Sequence, residues 1–105
     1  MRKIMNIVSK QVGGEFVLAL SGRFDFNAHR DFRNGYEPAL QNSSVKTLNL
    51  NMEKVDYLDS SALGMLLLLN EKARASNIEV IISACPANIK KIIEVANFSR
   101  IFKIL

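Results

Sequence analysis

The sequence contains no tryptophan, one cysteine, two prolines and one histidine in 105 residues, and each scarcity removes a class of protein. A single cysteine, Cys85, forbids an internal disulfide and agrees with a reducing compartment. His29, the sole histidine, sits early in an amphipathic segment, where it reads as a surface residue rather than as the base of a Ser-His-Asp arrangement. There is no Cys/His metal cluster and no glycine-rich phosphate cradle. An enzyme, a cofactor and a bound metal are therefore not expected. The net charge of +4 arises from 14 basic and 10 acidic residues without a run of like sign. The densest basic group, Lys90-Lys91 with Arg100 and Lys103, reads as the wet face of a C-terminal helix, which argues against nucleic acid as a partner. The longest apolar run, Met65 to Leu69, is too short to span a bilayer. Asn6, Ser9, Lys10 and Gln11 break up the apolar stretch that a secretory signal would need after Met1-Arg2-Lys3-Ile4, so a cytoplasmic location is expected.

What the chain does have is 49% apolar and 23% charged residues, the balance of a folded domain. The expectation is one domain over 1–105, long enough to bury roughly two-thirds of its unfolded surface. Ile4 to Val8 and Phe16 to Leu20 read as strands joined through Gly13-Gly14, a pair able to form a hairpin turn. Phe24, Asn27, Ala28, Phe32 and Tyr36 recur near helical spacing and predict a helix over 27–41, with Asn27 as its N-cap and Gly35 and Pro38 weakening its second half. Short β-rich segments follow at Val45 to Leu50 and at Ile78 to Ile82. A helix lies between them from Ser60 to about Ala75, and Pro86 opens another. Strands alternating with helices imply an α/β fold whose sheet is mixed: an N-terminal hairpin plus mainly parallel strands, packed against α-helices.

The stretch richest in chemistry is Val55-Asp56-Tyr57-Leu58-Asp59-Ser60-Ser61-Ala62-Leu63-Gly64, which leads into the most apolar helix. Asp59 or Ser60 suits an N-cap, which places Ser60 and Ser61 where free amides and the helix dipole favour an added anion. A phosphate there would bring about −1.5 to −2 charge beside Asp56 and Asp59. The acidic group Asp25, Asp56 and Asp59 is read as a solvated loop rather than a Mg²⁺ or phospho-aspartate site, because no accompanying lysine or later carboxylate is evident. Helical projection puts Ala62, Leu63, Met65, Leu66, Leu67, Leu69 and Ala73 on one buried arc and leaves Leu68 outside it, near Gly64, Ala75 and Ser61. Leu68 is therefore expected to dock a protein partner, with Gly64 permitting close approach.

The chain resembles the anti-sigma factor antagonists of the STAS superfamily over essentially its full length. Gly22-Arg23-Phe24-Asp25 is similar to the family's Gly-x-Leu-Asp, and Leu48-Asn49-Leu50 stands for the strand before the switch. Asp59-Ser60-Ser61-Ala62-Leu63-Gly64 is similar to Asp-Ser-Ser/Thr-Gly-Leu-Gly, with Ala62 at the usual glycine. Cys85-Pro86 opens a helix, and Phe98 to Phe102 resembles the closing Gly-Leu-x-x-x-Phe, with Ala96-Asn97 at the usual glycine turn. The resemblance implies phosphorylation of Ser60 by a GHKL-type partner that is both serine kinase and anti-sigma factor, and reversal by a PP2C-type serine phosphatase. Asp25, Asp59 and Ser61 would lie at the same switch surface. The unmodified protein, a monomer or weak dimer, would capture the anti-sigma factor and so regulate transcription; the phosphorylated one would release it. The alternatives within the resemblance are a STAS subunit of an ABC-type lipid or anion transport assembly and a non-switching scaffold of a stress complex.

Overall fold

The computed structural model describes residues 5–105. Its five strands are β1 (Asn6–Val12), β2 (Glu15–Phe24), β3 (Thr47–Leu58), β4 (Glu79–Ser83) and β5 (Lys103–Ile104). They form one sheet in the order β1-β2-β3-β4-β5. The β1–β2 pair is antiparallel and every other neighbouring pair is parallel. The expected mixed sheet is thus present, and Gly13, at φ +59°, makes the hairpin turn in the left-handed region that glycine adopts without strain. Three helices connect the parallel strands: α1 (His29–Leu40), α2 (Ser60–Ala75) and α3 (Ala87–Val95).

Alternation along β2 and β3 decides which face carries the core. Phe16, Leu18, Leu20, Leu48, Leu50 and Met52 are buried on one side. The opposite face is mixed: Val8, Val17 and Ile81 share it with Asn49, which donates to Glu15 at 3.2 Å and accepts from the Ser83 hydroxyl across three strands. Helix α1 crosses the apolar face so closely that a methyl group on Gly35 would come 3.2 Å from Ile7 Cγ2. Helix α2 lies against α1 and β4, and α3 runs beside α2.

Several boundaries differ from the sequence expectation. Strand β1 begins at Asn6 and reaches Val12 rather than spanning Ile4 to Val8, and Ile4, with the rest of 1–4, lies outside the described residues. Strand β3 runs on to Leu58 where a segment ending at Leu50 was expected. Two irregularities in its pairing with β2 explain this: Ala19↔Asn51 is followed by Ser21↔Lys54, and Gly22↔Val55 by Arg23↔Tyr57. Each inserts an extra residue in β3, so burial falls at Met52, Val55 and Leu58, and the period-2 signature disappears. Asn27 is not a cap. The Asp25 carboxylate accepts from the Asn27 amide at 3.0 Å and starts a short 3-10 turn, Phe26–Ala28, that runs into α1. Pro38 does not end α1, which continues to Leu40. Arg100 and Lys103 do not share a helix face with Lys90 and Lys91, because α3 stops at Val95 and the chain turns through 98–100 into β5.

Helix α2 ends with Asn77 in the left-handed region at φ +58°, its amide donating to Arg74 O and the Ile78 amide to Ala73 O, the paired hydrogen bonds of a Schellman termination. Asn97 plays the equivalent part after α3 at φ +61°. Ala84, between β4 and Pro86, is held at φ +53° with a Cβ that disfavours that conformation. Ala84→Gly is expected to stabilise the protein by about 1 kcal/mol in urea unfolding; a loss of stability would mean the methyl group makes packing contacts that outweigh the strain.

Candidate functional site

The carboxyl ends of β2 and β3 are paired at Phe24↔Leu58, so Asp25 and Asp59 leave the sheet side by side, and the Asp59 amide donates to Phe24 O at 3.3 Å. Both carboxylates perform the same local task. Asp59 Oδ1 accepts from the Ala62 amide at 3.0 Å and caps α2, as Asp25 Oδ1 does for the turn before α1. The second Asp25 oxygen lies 3.5 Å from Arg23 Nε, whose guanidinium stacks over Tyr57 at 4.0 Å. Among the described residues no group of three or more His, Cys, Asp or Glu side chains is arranged to hold a metal, and no helix is long and apolar enough to cross a membrane. Replacing the cap in Asp59→Ala is expected to cost about 1 kcal/mol in thermal unfolding and to fray the turn carrying both serines; Asp59→Asn, which keeps the acceptor, should recover most of it.

Ser60 is the first residue of α2 and is exposed, and Ser61 is half-buried beside it. The amides of the first turn have no partner within the helix apart from the cap, so the hydroxyl of Ser60 stands at the positive end of a 16-residue helix. Ser60, Gly64 and Leu68 follow at intervals of four and are all exposed, which sets them in one stripe. A methyl group on Gly64 would meet nothing within 4 Å, so the fold places no demand for glycine there.

The buried stripe of α2 is narrower than expected. Ala62, Leu66, Leu69 and Ala73 are fully covered, Leu63 and Met65 partly. Leu67, expected in the core, is 40% exposed and lies beside Leu68 at 47%. Leu63, one turn before Leu67, lines an almost wholly apolar groove between α2 and α3 together with Ile92, Val95 and Ala96, with Lys91 at its edge. Val95 is 76% exposed there. Sequence reasoning also passed over Phe26, one residue beyond Asp25, which is 64% exposed and stacked on His29 at 4.9 Å. The His29 Nδ1 lies 2.9 Å from the Phe26 carbonyl. Contiguous exposed apolar side chains, unlike scattered ones, mark interaction surfaces; the only signal for Phe26 in the sequence was its failure to fit the periodicity of α1.

Cys85 is half-buried, and burial pushes its thiol up from the ordinary value, an effect that Lys90 opposes and Glu94 reinforces. The thiol is therefore protonated at neutral pH, the state that does not attack electrophiles. Alkylation by iodoacetamide at neutral pH is expected to be slower than for glutathione, with its rise displaced to higher pH; a rate at or above that of glutathione at neutral pH would contradict this.

Comparison with known proteins fits this geometry. The STAS domain profile matches residues 6–105. A STAS-domain containing protein of Pseudomonas aeruginosa is 40% identical over 92 residues, which cover 88% of this chain and 89% of that protein. Two structures of the anti-sigma factor antagonist SpoIIAA share the fold. Its unphosphorylated form superposes with a TM-score of 0.79 at 20% identity, covering 95% of this chain and 88% of SpoIIAA. The phosphorylated form, described as a Bacillus cell fate determinant, gives 0.72 at 19% identity over 95% and 91%. With a profile spanning nearly every residue, a relative at 40% identity and a mixed sheet carrying its serine pair at the start of α2, the chain belongs to the STAS domain family.

Proposed function

We propose that this protein is an anti-sigma factor antagonist whose binding is switched off by phosphorylation of Ser60. The observation that carries the reading is the exposed hydroxyl at the first position of α2, with exposed Leu67 and Leu68 about two turns along the same helix. The unmodified surface presents Ser60, Gly64 and Leu68, with Phe26 and Leu67 as further apolar contacts, to an anti-sigma factor that is also a GHKL-type serine kinase. Asp25 and Asp59 fix the two helix starts that frame it. A phosphate on Ser60 is accepted by the fold, since the first-turn amides and the dipole favour negative charge. The same charge, about −1.5 to −2, falls at the rim of an otherwise apolar contact and next to Asp59, so the docked protein is repelled. A PP2C-type phosphatase restores the binding form. The protein itself catalyses nothing in this scheme, and it works in the cytoplasm as a monomer or weak dimer.

The reading is tested by incubating the protein with the candidate kinase and ATP and locating the label by mass spectrometry in wild type and in Ser60→Ala. One phosphate at Ser60, absent from the variant, is the expected result. Label persisting in Ser60→Ala would move the acceptor to Ser61 or elsewhere.

A further inference from the structure

At the other end of α2, roughly 24 Å from Ser60 at 1.5 Å per residue, a cleft of about 490 Å³ opens between the C-terminal turn of the helix, the start of β4 and the segment leading into β5. Arg74, Arg100 and Lys103 converge on it from three separate elements, and Glu79 is the one carboxylate on its lining among the described residues. None of the three cations has an ion pair or side-chain hydrogen bond to any described residue. Nor is Arg74 needed to neutralise the helix end, because the amides of Ser76, Asn77 and Ile78 already occupy the carbonyls of Ala73 and Arg74. Asn70 and Asn77 place amide groups on the same lining.

Gathering three like charges around one concavity with a single carboxylate among them costs free energy, and here the topology does it by bringing 74 and 100–103 together from distant parts of the chain. Two guanidinium forks supply paired donors matched to tetrahedral oxyanions, and a surplus of two positive charges suits a dianion or more highly charged group. We infer that this cleft binds a small phosphate-bearing polyanion. Lys90 and Lys91, the one pair of adjacent basic residues among those described, lie on α3, away from this lining, which favours a compact ligand over a nucleic-acid strand. The site is independent of the switch surface: binding here predicts nothing about Ser60.

The ¹⁵N-labelled full chain titrated with sodium pyrophosphate at constant ionic strength tests this, with sodium chloride and a single-stranded oligonucleotide in parallel arms. Expected are saturable amide shifts confined to 74–80 and 100–104, with 60–68 unmoved. The double variant R74Q/R100Q should bind at least about tenfold more weakly through loss of two charge-assisted contacts. K103Q, which leaves both arginines in place, should bind several-fold more weakly and guards against a folding defect in the double variant. Shifts no larger than with chloride would overturn the inference, as would unchanged affinity in both variants. Tighter binding of the oligonucleotide, with shifts spreading beyond the cleft, would overturn it in favour of a nucleic-acid surface.

Discussion

Ser60→Glu is expected to weaken the complex with the anti-sigma partner about a hundredfold, or about 3 kcal/mol, while leaving the free protein slightly more stable. The two effects have opposite signs for one physical reason each. A carboxylate in the first turn of α2 meets the positive end of the helix dipole and the unpaired amides, which contributes about 0.3–1 kcal/mol to folding. On the proposed contact surface the same carboxylate would be desolvated beside Asp59, which costs binding free energy. Calorimetric titration against the partner and urea unfolding of the free protein read the two quantities separately. A loss of binding accompanied by an equal loss of stability would make position 60 a structural residue; unchanged binding would remove it from the contact.

Neighbouring leucines on α2 should separate folding from binding just as sharply. Leu66 is 0% exposed and sits between Ala62 and Leu69 in the core cluster. Leu66→Ala is expected to cost about 3 kcal/mol, within the 2–5 kcal/mol range for such truncations, through lost transfer free energy and the cavity left behind. For a domain with a total stability of about 5–15 kcal/mol, that is enough to move the unfolding midpoint a long way. Leu68→Glu, two residues on, should change stability by less than about 0.5 kcal/mol and yet abolish detectable partner binding. A large fall in stability from Leu68→Glu would show that the exposed stripe is covered within the native fold.

The sequence made the class of the fold legible because its signals were local. The glycine pair of the hairpin, the apolar period of α2 and the Asp-Ser-Ser motif each act within a few residues. The second half of β3 was hidden because two pairing irregularities displace its buried residues to every third position, a spacing that matches neither strand nor a full helix turn. The start of α1 was misplaced by two features: Asn27 is a plausible cap by type, but Asp25 reaches its amide first because β2 delivers Asp25 directly to the turn. Strand β5 has two residues, too few to carry a pattern, and its assignment to the sheet depends on pairing with Ile81 and Ile82. The candidate site divides along the same line. Ser60, Asp59, Gly64 and Leu68 could be set on one helix from spacing alone, whereas the side-by-side exit of Asp25 and Asp59 is a consequence of strand pairing, and the groove against Ile92 and Val95 is a consequence of how α3 docks. Leu67 was assigned to the core because a projection cannot tell how wide a stripe the neighbours cover.

The most direct measurement compares the affinity of the anti-sigma partner for this protein with and without stoichiometric phosphate on Ser60, the site confirmed by mass spectrometry in the same sample. The account predicts tight binding of the unmodified protein and a loss of a hundredfold or more, about 3 kcal/mol, on phosphorylation. Equal affinity of the two forms would contradict it.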